Sequence, residues 1–191
     1  MSQSSLPGFA PAEPTDRLFL AIFPDRETAA RLAALAASQC AHHGLRGRPL
    51  AAERFHVTLF HLGDSAGLRQ DVVEAASKAA SRVQAAPFEL AFDRVASFAG
   101  RRDKLPFVLK ADDGNAALRR FHAELASRLR ESGLGHFTSG NFEPHVTLAY
   151  DARMITPEAV APVRWRADEF VLIHSLLGKT RHVPLARWAL G

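Results

Sequence analysis

The four residues His-Val-Thr-Leu occur twice in this chain, at positions 56–59 and again at positions 145–148. Successive side chains of an extended strand point to opposite faces, so residues two apart share a face. In each copy the histidine and the threonine therefore lie on one face, and the valine and the leucine lie on the other. The repeat predicts two strands, each with one apolar face and one reactive face.

The length and the cysteine content limit the class of protein. A chain of 191 residues fits one domain or two small lobes and can bury a core without disulfide bonds. Cys40 is the only cysteine, which favours a reducing compartment. Residues 1–15 hold no apolar run of signal-peptide length and are expected to be a disordered lead-in. We therefore expect a cytoplasmic protein that does not contact a membrane, with one domain over residues 16–191.

The charge balance permits a phosphorylated partner without proving one. The formal net charge is +4 and the isoelectric point is near 9.8. The basic residues are mostly arginines, whose planar guanidinium groups suit phosphate oxygens. Genomic base composition explains an excess of arginine equally well, so nucleic acid binding needs independent evidence.

Hydrophobic periodicity, together with the positions of glycine and proline, predicts strands that alternate with helices. Asp25 is expected to cap the first helix, and residues 112–115 are expected to supply turn and cap chemistry for the last helix. The predicted strands cover residues 17–23, 54–62, 88–98, 105–110, 145–150, 168–177 and 182–190, and the predicted helices cover residues 25–39, about 68–83, and a stretch that ends near residue 133.

Both halves of the chain follow the same order, which is a strand, a helix and then a motif strand. Two similar halves with one motif each predict a bilobal, pseudo-twofold molecule whose lobes line a central cleft. An α+β and an α/β fold both fit this order. Most connections are hairpins or helical excursions, so we expect an α+β fold with largely antiparallel sheets and with the helices outside.

Paired histidines can perform acid and base catalysis together. Histidine titrates near neutral pH, so a neutral ring can accept a proton while a protonated ring donates one. Two such rings on opposite sides of a cyclic phosphodiester need no metal ion. The threonine hydroxyl groups share the histidine faces and can donate hydrogen bonds to a non-bridging phosphate oxygen. The candidate catalytic residues are therefore His56, His145, Thr58 and Thr147.

No motif in the sequence matches a metal site or a nucleotide cofactor. The nine histidines include no His-Glu-x-x-His pattern, and no cysteine or carboxylate cluster has ligand spacing. His56 and His61 are expected on opposite faces of a regular strand. A glycine-rich phosphate loop of the Walker type is also absent from the sequence. We expect no metal and no cofactor.

The paired motif resembles that of the two-histidine (2H) phosphoesterases, specifically the bacterial RNA 2′,3′-cyclic phosphodiesterase or 2′-5′ RNA ligase (LigT-like) family. The resemblance covers nearly all of residues 17–190 and is carried by residues 54–63, 142–148, 175–178 and 187–190. It implies a bilobal fold with a water-filled cleft and metal-independent opening of RNA 2′,3′-cyclic phosphates to 2′-phosphates. It also implies that His56 donates a proton to the leaving 3′ oxygen and that His145 accepts the proton of water.

One position departs from the pattern of that family. Many relatives carry an arginine two residues after the second motif, where this chain has Tyr150. The phosphate charge then needs another cation. The candidates are Arg54, which is expected to share the strand face of His56, and Lys179 and Arg181 in the last predicted turn. These three residues and Tyr150 are the candidate substrate-binding positions.

The first functional hypothesis is a hydrolase that acts, as a monomer, on RNA 2′,3′-cyclic phosphate ends or on small cyclic nucleotides. The same histidines permit the reverse reaction, 2′-5′ ligation of RNA ends, although water at its cellular concentration favours hydrolysis. The alternative from another class is a non-catalytic protein that binds RNA ends. A protein without turnover has no need of both imidazoles, so the intact motifs favour the enzyme.

Overall fold

A computed structural model describes residues 12–111 and 114–191 of the chain. Strands and helices alternate along these residues. The strands are β1 (Asp16–Ile22), β2 (Val57–Ser65), β3 (Phe88–Ser97), β4 (Leu105–Lys110), β5 (His145–Asp151), β6 (Glu158–Ala167), β7 (Glu169–Leu176) and β8 (Arg181–Ala189). The helices are α1 (Arg26–His42), α2 (Gln70–Ala80) and α3 (Ala116–Glu131), and short 3-10 turns cover Ala52–Arg54 and Gly135–Phe137.

The strands form one sheet in the order β6-β3-β4-β5-β2-β1-β7-β8. Every neighbouring pair in this order is antiparallel. The helices lie against this sheet, with α1 on β5 and β6, and with α3 on β3 and on α2. The expected α+β class with antiparallel pairing is therefore confirmed. The strands of both halves belong to a single continuous sheet.

The order of the strands repeats about the centre of the sheet. Read outward from the centre, one half contains β2, β1, β7 and β8, and the other contains β5, β4, β3 and β6. In the first half, α1 connects β1 to β2, and in the second half, α3 connects β4 to β5. Each half thus supplies a strand, a helix and a motif strand, and the two motif strands are neighbours.

The two faces of the sheet differ in what covers them. The main core joins one face to all three helices and includes Leu32 of α1, Ala76 of α2 and Leu125 of α3. A smaller apolar cluster lies apart from this core, where Phe19, Ala21, Val171 and Ile173 pack together on β1 and β7. Because residues along a strand alternate between faces, this second cluster marks the face that the helices leave open.

The first and third helices begin in different ways. The carboxylate of Asp25 accepts a hydrogen bond from the backbone N–H of Thr28 at 2.8 Å, as expected for a cap of α1. Asn115 stands at the cap position of α3, but its side chain makes no capping bond to the helix. It pairs instead with the backbone N–H and carbonyl of Ala91, at 2.9 and 2.8 Å. Asn115 therefore occupies the expected cap position without a side-chain capping bond, and it ties α3 to β3. Asp112 and Asp113 lie outside the described residues.

The strand β6 is not predicted by the sequence, because Pro157 and Pro162 favour a break between strands. The strand runs through Pro162 and pairs with β3. It lies at the edge of the sheet, where a residue without an N–H can be accommodated. The register also shifts beside Phe92, which relaxes the pairing next to the proline.

The first motif strand begins later than predicted and contains a bulge. Residues 54–56 are expected in the strand, but Arg54 ends a 3-10 turn and β2 starts at Val57. The register with β1 shifts at Leu59, because Ala21 pairs with Thr58 whereas Phe19 pairs with His61. His61 therefore shares the face of Thr58 and His56. The expectation that His56 and His61 point to opposite faces is wrong because of this bulge.

Most of the expected lead-in, residues 1–11, lies outside the described residues. Thr15, at its end, hydrogen bonds through its backbone to Ser65 and to Leu177, each at 2.9 Å. Among the residues that the structure describes, no helix is long and apolar enough to cross a membrane.

Candidate active site

The two motifs meet at the junction of β2 and β5, in the middle of the sheet. Val57 of the first motif pairs with Val146 of the second in an antiparallel register. Both valines are 0% exposed, and the motif leucines, Leu59 and Leu148, are also buried. The apolar face of each motif therefore packs into the core that the helices cover, as the alternation in the sequence predicts.

The polar residues of both motifs lie together on the open face. Because the strands are antiparallel and Val57 faces Val146, His56 neighbours Thr147 and Thr58 neighbours His145. All four of these side chains are partly exposed. The structure thus brings together the four residues that the sequence nominates as catalytic.

The two histidines are anchored in the same way. The Nδ1 of His56 lies 2.7 Å from the carbonyl oxygen of Arg54, and the Nδ1 of His145 lies 2.8 Å from the carbonyl oxygen of Glu143. A carbonyl oxygen can only accept, so each Nδ1 carries the hydrogen. Each ring is therefore held in a tautomer whose Nε2 remains free to accept a proton or, in the imidazolium form, to donate one.

Burial lowers the pKa values of both motif histidines. The pKa of His56 falls to about 4, chiefly because burial disfavours the charged ring. The bond to Arg54 opposes this change, whereas the positive charges of His182, His145 and Arg54 add to it. Burial also lowers the pKa of His145, with opposition from Glu143 and a further lowering by Lys110. That His145 influences His56 shows that the two rings share one electrostatic environment.

Aromatic rings enclose His56. The Phe19 ring stacks on it with centroids 4.9 Å apart, and the Phe23 ring lies at 5.4 Å. The ring of His182, on β8, meets His56 edge to face at 5.6 Å. These contacts hold the imidazole on three sides and account for the burial that lowers its pKa.

A charged pair and one aromatic ring flank His145. Lys110 of β4 is the register partner of His145 and forms an ion pair with Glu143. The ring of Phe98 meets His145 edge to face at 4.8 Å, and the Lys110 Nζ lies 5.8 Å from the centre of that ring. Lys110 is therefore the lysine or arginine cation next to His145, and Arg54 is the corresponding cation next to His56.

Of the four candidate substrate-binding positions, Arg54 lies close to a motif histidine. Arg54 lowers the pKa of His56 through its charge, and its Nε atom is buried. Tyr150 is 37% exposed and carries the Lys104 Nζ over its ring at 5.2 Å. The pKa of Arg17 is raised first by its bond to Asp64 and to a lesser degree by Tyr150, so Tyr150 faces the end of β1.

The other two candidates lie in the connection between β7 and β8. Lys179 is exposed in the turn, and Arg181 is the first residue of β8. Arg181 pairs with Leu176, whereas the next residue, His182, pairs with Ser175. Adjacent residues of a strand point to opposite faces, so Arg181 points away from the face of His182. The structure brings neither Lys179 nor Arg181 against a motif histidine.

Two residues of this face were not nominated from the sequence, Arg17 and His182. Arg17 forms a bidentate ion pair with Asp64, with N–O distances of 2.7 Å. His182 contacts both Phe19 and His56 through its ring. A single basic residue in a predicted strand is only weak evidence for a functional site. The alternation of β8 predicts that His182 and Arg181 point to opposite faces, but the sequence does not show that the ring of His182 contacts His56.

Potential metal ligands occur at another place. Among the described residues, His42, His43 and Glu158 offer ligand atoms within 4.8 Å of one another at the end of α1. None of these residues belongs to a motif or contacts a motif histidine. The carboxylate of Glu158 lies 3.6 Å from His42 and 3.7 Å from His43, beyond hydrogen-bonding distance.

Comparisons with known proteins identify the family. The sequence model of the 2′-5′ RNA ligase superfamily matches residues 24–179. The RNA 2′,3′-cyclic phosphodiesterase of Escherichia coli strain K12 is 32% identical over 151 residues, which cover 75% of this chain and 80% of that relative. The fold and the paired motifs define a phosphoesterase of the two-histidine class. The chain belongs to the 2′-5′ RNA ligase superfamily.

Solved structures agree with this assignment. The structure of Escherichia coli LigT in its apo form has a TM-score of 0.71 and 29% identity, and the match covers 93% of this chain and 99% of LigT. The complex of LigT with 3′-AMP matches with a TM-score of 0.67 over the same shares. The protein TT0787 of Thermus thermophilus, at 22% identity and a TM-score of 0.68, shares the fold, and the match covers 91% of this chain and 97% of that protein. The predictions of a two-histidine phosphoesterase and of an enzyme that acts on phosphoric diesters are confirmed.

Proposed function

We propose that this protein hydrolyses the 2′,3′-cyclic phosphate of RNA ends or of small cyclic nucleotides to a 2′-phosphomonoester. The observation that carries the proposal is the matched anchoring of His56 and His145, whose Nδ1 atoms both donate to carbonyl oxygens two residues earlier. The substrate of the Escherichia coli relative supports an RNA 2′,3′-cyclic phosphate. The complex of LigT with 3′-AMP supports a nucleotide ligand.

The reaction needs one proton acceptor and one proton donor on opposite sides of phosphorus. The Nε2 of His145 takes a proton from water while the water oxygen bonds to phosphorus. The bond from phosphorus to the 3′ oxygen breaks, and the Nε2 of His56 gives its proton to that oxygen. The products are a 2′-phosphomonoester and a free 3′ hydroxyl group. Each such proton transfer contributes on the order of 10² to 10⁴-fold to the rate.

A bound phosphodiester changes the protonation of His56 in the required direction. With a pKa of about 4, the free ring is mostly neutral at pH 7. A negative charge within a few ångströms favours the imidazolium form and raises the pKa. Substrate binding thus raises the protonated fraction of His56, the ring that acts as the donor.

The threonines supply neutral donors at the same place. Thr58 and Thr147 each lie two residues after a motif histidine and on the same face. Their hydroxyl groups donate to a non-bridging oxygen as its negative charge grows in the transition state. β-Branching at both positions keeps the motif strands extended and limits the rotamers of these hydroxyl groups.

We further propose that the reaction proceeds without a metal ion, since two imidazoles perform both proton transfers. We also propose that the protein acts as a monomer in the cytoplasm. A single cysteine, Cys40, which is buried as a free thiol, supports a reducing compartment.

The test is hydrolysis of 2′,3′-cyclic AMP by the purified protein in excess EDTA, with the products separated by chromatography. The expected product is 2′-AMP, and His56→Ala and His145→Ala are each expected to lower kcat at least about a hundredfold. The matched control is His42→Ala, which removes an exposed histidine from the end of α1 and should retain activity. Binding of the cyclic nucleotide without turnover in the unaltered protein would favour the RNA-end-binding alternative. Loss of turnover in EDTA with recovery on adding metal would contradict the metal-free scheme.

A further inference from the structure

Three buried nitrogen atoms lie unpaired beside His56. They are the Nε of Arg54 and both ring nitrogens of His182, and none has a partner with hydrogen-bond geometry among the residues that the structure describes. Nearly all buried polar groups in folded proteins are hydrogen-bonded, so a cluster of exceptions needs a cause. Buried nitrogen donors without an acceptor can bind an anion.

His182 reaches this place across two intervening strands. Two strands, β1 and β7, lie between β2 and β8, so a flat sheet would separate His182 from the motif strand by about 14 Å. The rings of His182 and His56 are nevertheless only 5.6 Å apart, with Phe19 in contact with both. Ser175 is the register partner of His182 on β7.

The charged groups that act most directly on His182 are positive. Burial lowers its pKa first, the positive charges of Arg54 and Arg17 lower it further, and the backbone of Arg181 has a smaller opposite effect. His182 also lines a cavity of about 470 Å³ next to Phe23. The charged residues of the cavity wall are Asp25, Glu53, Arg166, Asp168, Glu169 and Arg187.

Several of these wall charges already have partners. Arg166 pairs with Asp168, and Arg187 pairs with Glu169. The carboxylate of Asp25 accepts a hydrogen bond from the backbone N–H of Thr28 in the first turn of α1. Arg54 and His182 are the groups on this side whose positive charges lower the pKa of His56, and a bound anion favours the protonated form of His182.

We propose that His182 and Arg54 form an anion subsite that binds a non-bridging phosphate oxygen of the substrate, in the role that an arginine at the position of Tyr150 would otherwise fill. This inference rests on the proposed function for the identity of the anion as a phosphodiester. The subsite lies against His56 and places the negative charge next to the ring that must become an imidazolium. Arg54 is a permanent cation, whereas His182 is a cation only when protonated.

A proton requirement at His182 gives the subsite a distinct signature. The imidazolium form of His182 donates from both ring nitrogens, whereas the neutral form donates from one. Anion affinity should therefore weaken as the pH rises from 5.5 to 8, and removal of His182 should abolish part of that dependence. A residue that served only as packing would change stability without changing the dependence of anion binding on pH.

The test is calorimetric binding of sulfate, whose charge is constant between pH 5.5 and 8. His182→Phe preserves the ring contacts and removes the donors, and His182→Lys restores a permanent cation. At pH 5.5 the phenylalanine variant should bind sulfate about tenfold or more weakly than the unaltered protein, because a hydrogen bond to a charged group is lost. The lysine variant should bind at both pH values. In turnover of 2′,3′-cyclic AMP, His182→Phe should raise KM by a similar factor with a much smaller change in kcat.

Equal sulfate affinity in His182→Phe and in the unaltered protein at pH 5.5 would overturn the subsite. If His182→Phe does not fold, as judged by thermal unfolding, His182→Gln and Arg54→Gln take its place, and unchanged sulfate binding in both would overturn it equally. Sulfate binding that depends on His182 in a protein without cyclic phosphodiesterase activity would reject the proposed function and retain the subsite. Turnover of 2′,3′-cyclic AMP together with sulfate binding that does not depend on His182 would reject the subsite and retain the proposed function.

Discussion

Val57 of β2 and Val146 of β5 face each other across the centre of the sheet, and each directly follows a motif histidine. This pairing decides the geometry of the site. It buries the apolar residues of both motifs on one face and brings His56, Thr58, His145 and Thr147 to the other. Two sequence copies that lie in different halves of the chain thereby become a single site.

The motif threonines are expected to act in catalysis rather than in stability. Thr58→Val and Thr147→Val keep the side-chain shape and remove the hydroxyl group of a partly exposed residue. Each should lower kcat about tenfold or more, because a donor to a developing oxyanion is lost. The midpoint of thermal unfolding should change little. Thr156→Val, at an exposed position outside the motifs, is the control and should leave kcat unchanged. Full activity in both motif variants would show that the threonine hydroxyl groups take no part in catalysis.

The pH dependence of kcat/KM should follow the protonation of the free protein. The donor His56 must carry a proton, and with a pKa of about 4 its protonated fraction falls about tenfold per pH unit above neutrality. The acceptor His145 must be neutral, and burial lowers its pKa, so it limits activity only at acidic pH. We therefore expect kcat/KM for 2′,3′-cyclic AMP to fall by about tenfold per unit between pH 7 and 9. A profile that is flat or rises over this range would contradict the assignment of His56 as donor.

His122 should make the protein sensitive to acid. Its ring lies between Phe60 and Phe142, with centroids 4.2 and 3.7 Å away, and its Nε2 donates to the carbonyl of Leu59 at 3.1 Å. Burial is the main cause that lowers its pKa to about 4 from 6.5. A histidine with a lowered pKa in the folded state binds its proton more tightly when unfolded, so stability is lost as the pH falls from 6.5 towards 4.

The variant His122→Phe tests this effect by urea unfolding at pH 7 and at pH 4.5. It keeps the stack of three rings and removes the titrating group. At pH 7 it should lose about 1 kcal/mol with the hydrogen bond to Leu59. Between the two pH values its free energy of unfolding should fall less than that of the unaltered protein. The same fall in both proteins would show that His122 is not among the groups responsible.

Gly47 should tolerate no side chain. A Cβ at this position would stand 1.8 Å from the backbone carbonyl oxygen of Tyr150, which is far inside contact distance. The loop and β5 approach closely here because the carboxylate of Asp151 accepts from the backbone N–H groups of Arg46 and Gly47, at 2.6 and 2.7 Å. Gly47→Ala should lower the free energy of unfolding by about 1–3 kcal/mol or more, as overpacking does. Gly191→Ala, where nothing lies within 4 Å, should have no effect.

The strands and helices with strong periodicity could be predicted from the sequence, and the edge strand could not. β4 was predicted with its observed bounds, since Leu105–Lys110 is an apolar run between turn residues. β6 was missed because Pro162 normally argues against a strand, and only its place at the edge of the sheet makes it acceptable. Edge position is a property of the whole sheet and is not visible in a local window of sequence.

The candidate site divides in the same way. His56 and His145 could be nominated because the same four residues occur twice, and the alternation within each copy predicts which side chains share a face. His182 could not be nominated, because its contact with His56 spans two intervening strands of the folded sheet. The face of His61 was predicted incorrectly because a bulge at Leu59 leaves no mark in the sequence. Long-range geometry, rather than residue type, separates the residues that were found from those that were missed.

The most direct test of the central claim is a double-mutant cycle on the rate of 2′,3′-cyclic AMP hydrolysis in EDTA, with His56→Ala, His145→Ala and the double variant. If the two rings act on one phosphodiester as a unit, each single variant should lose most of the rate, and the double variant should be little slower than either. Rates within about tenfold of the unaltered protein in either single variant, or losses that multiply fully in the double variant, would contradict a shared site.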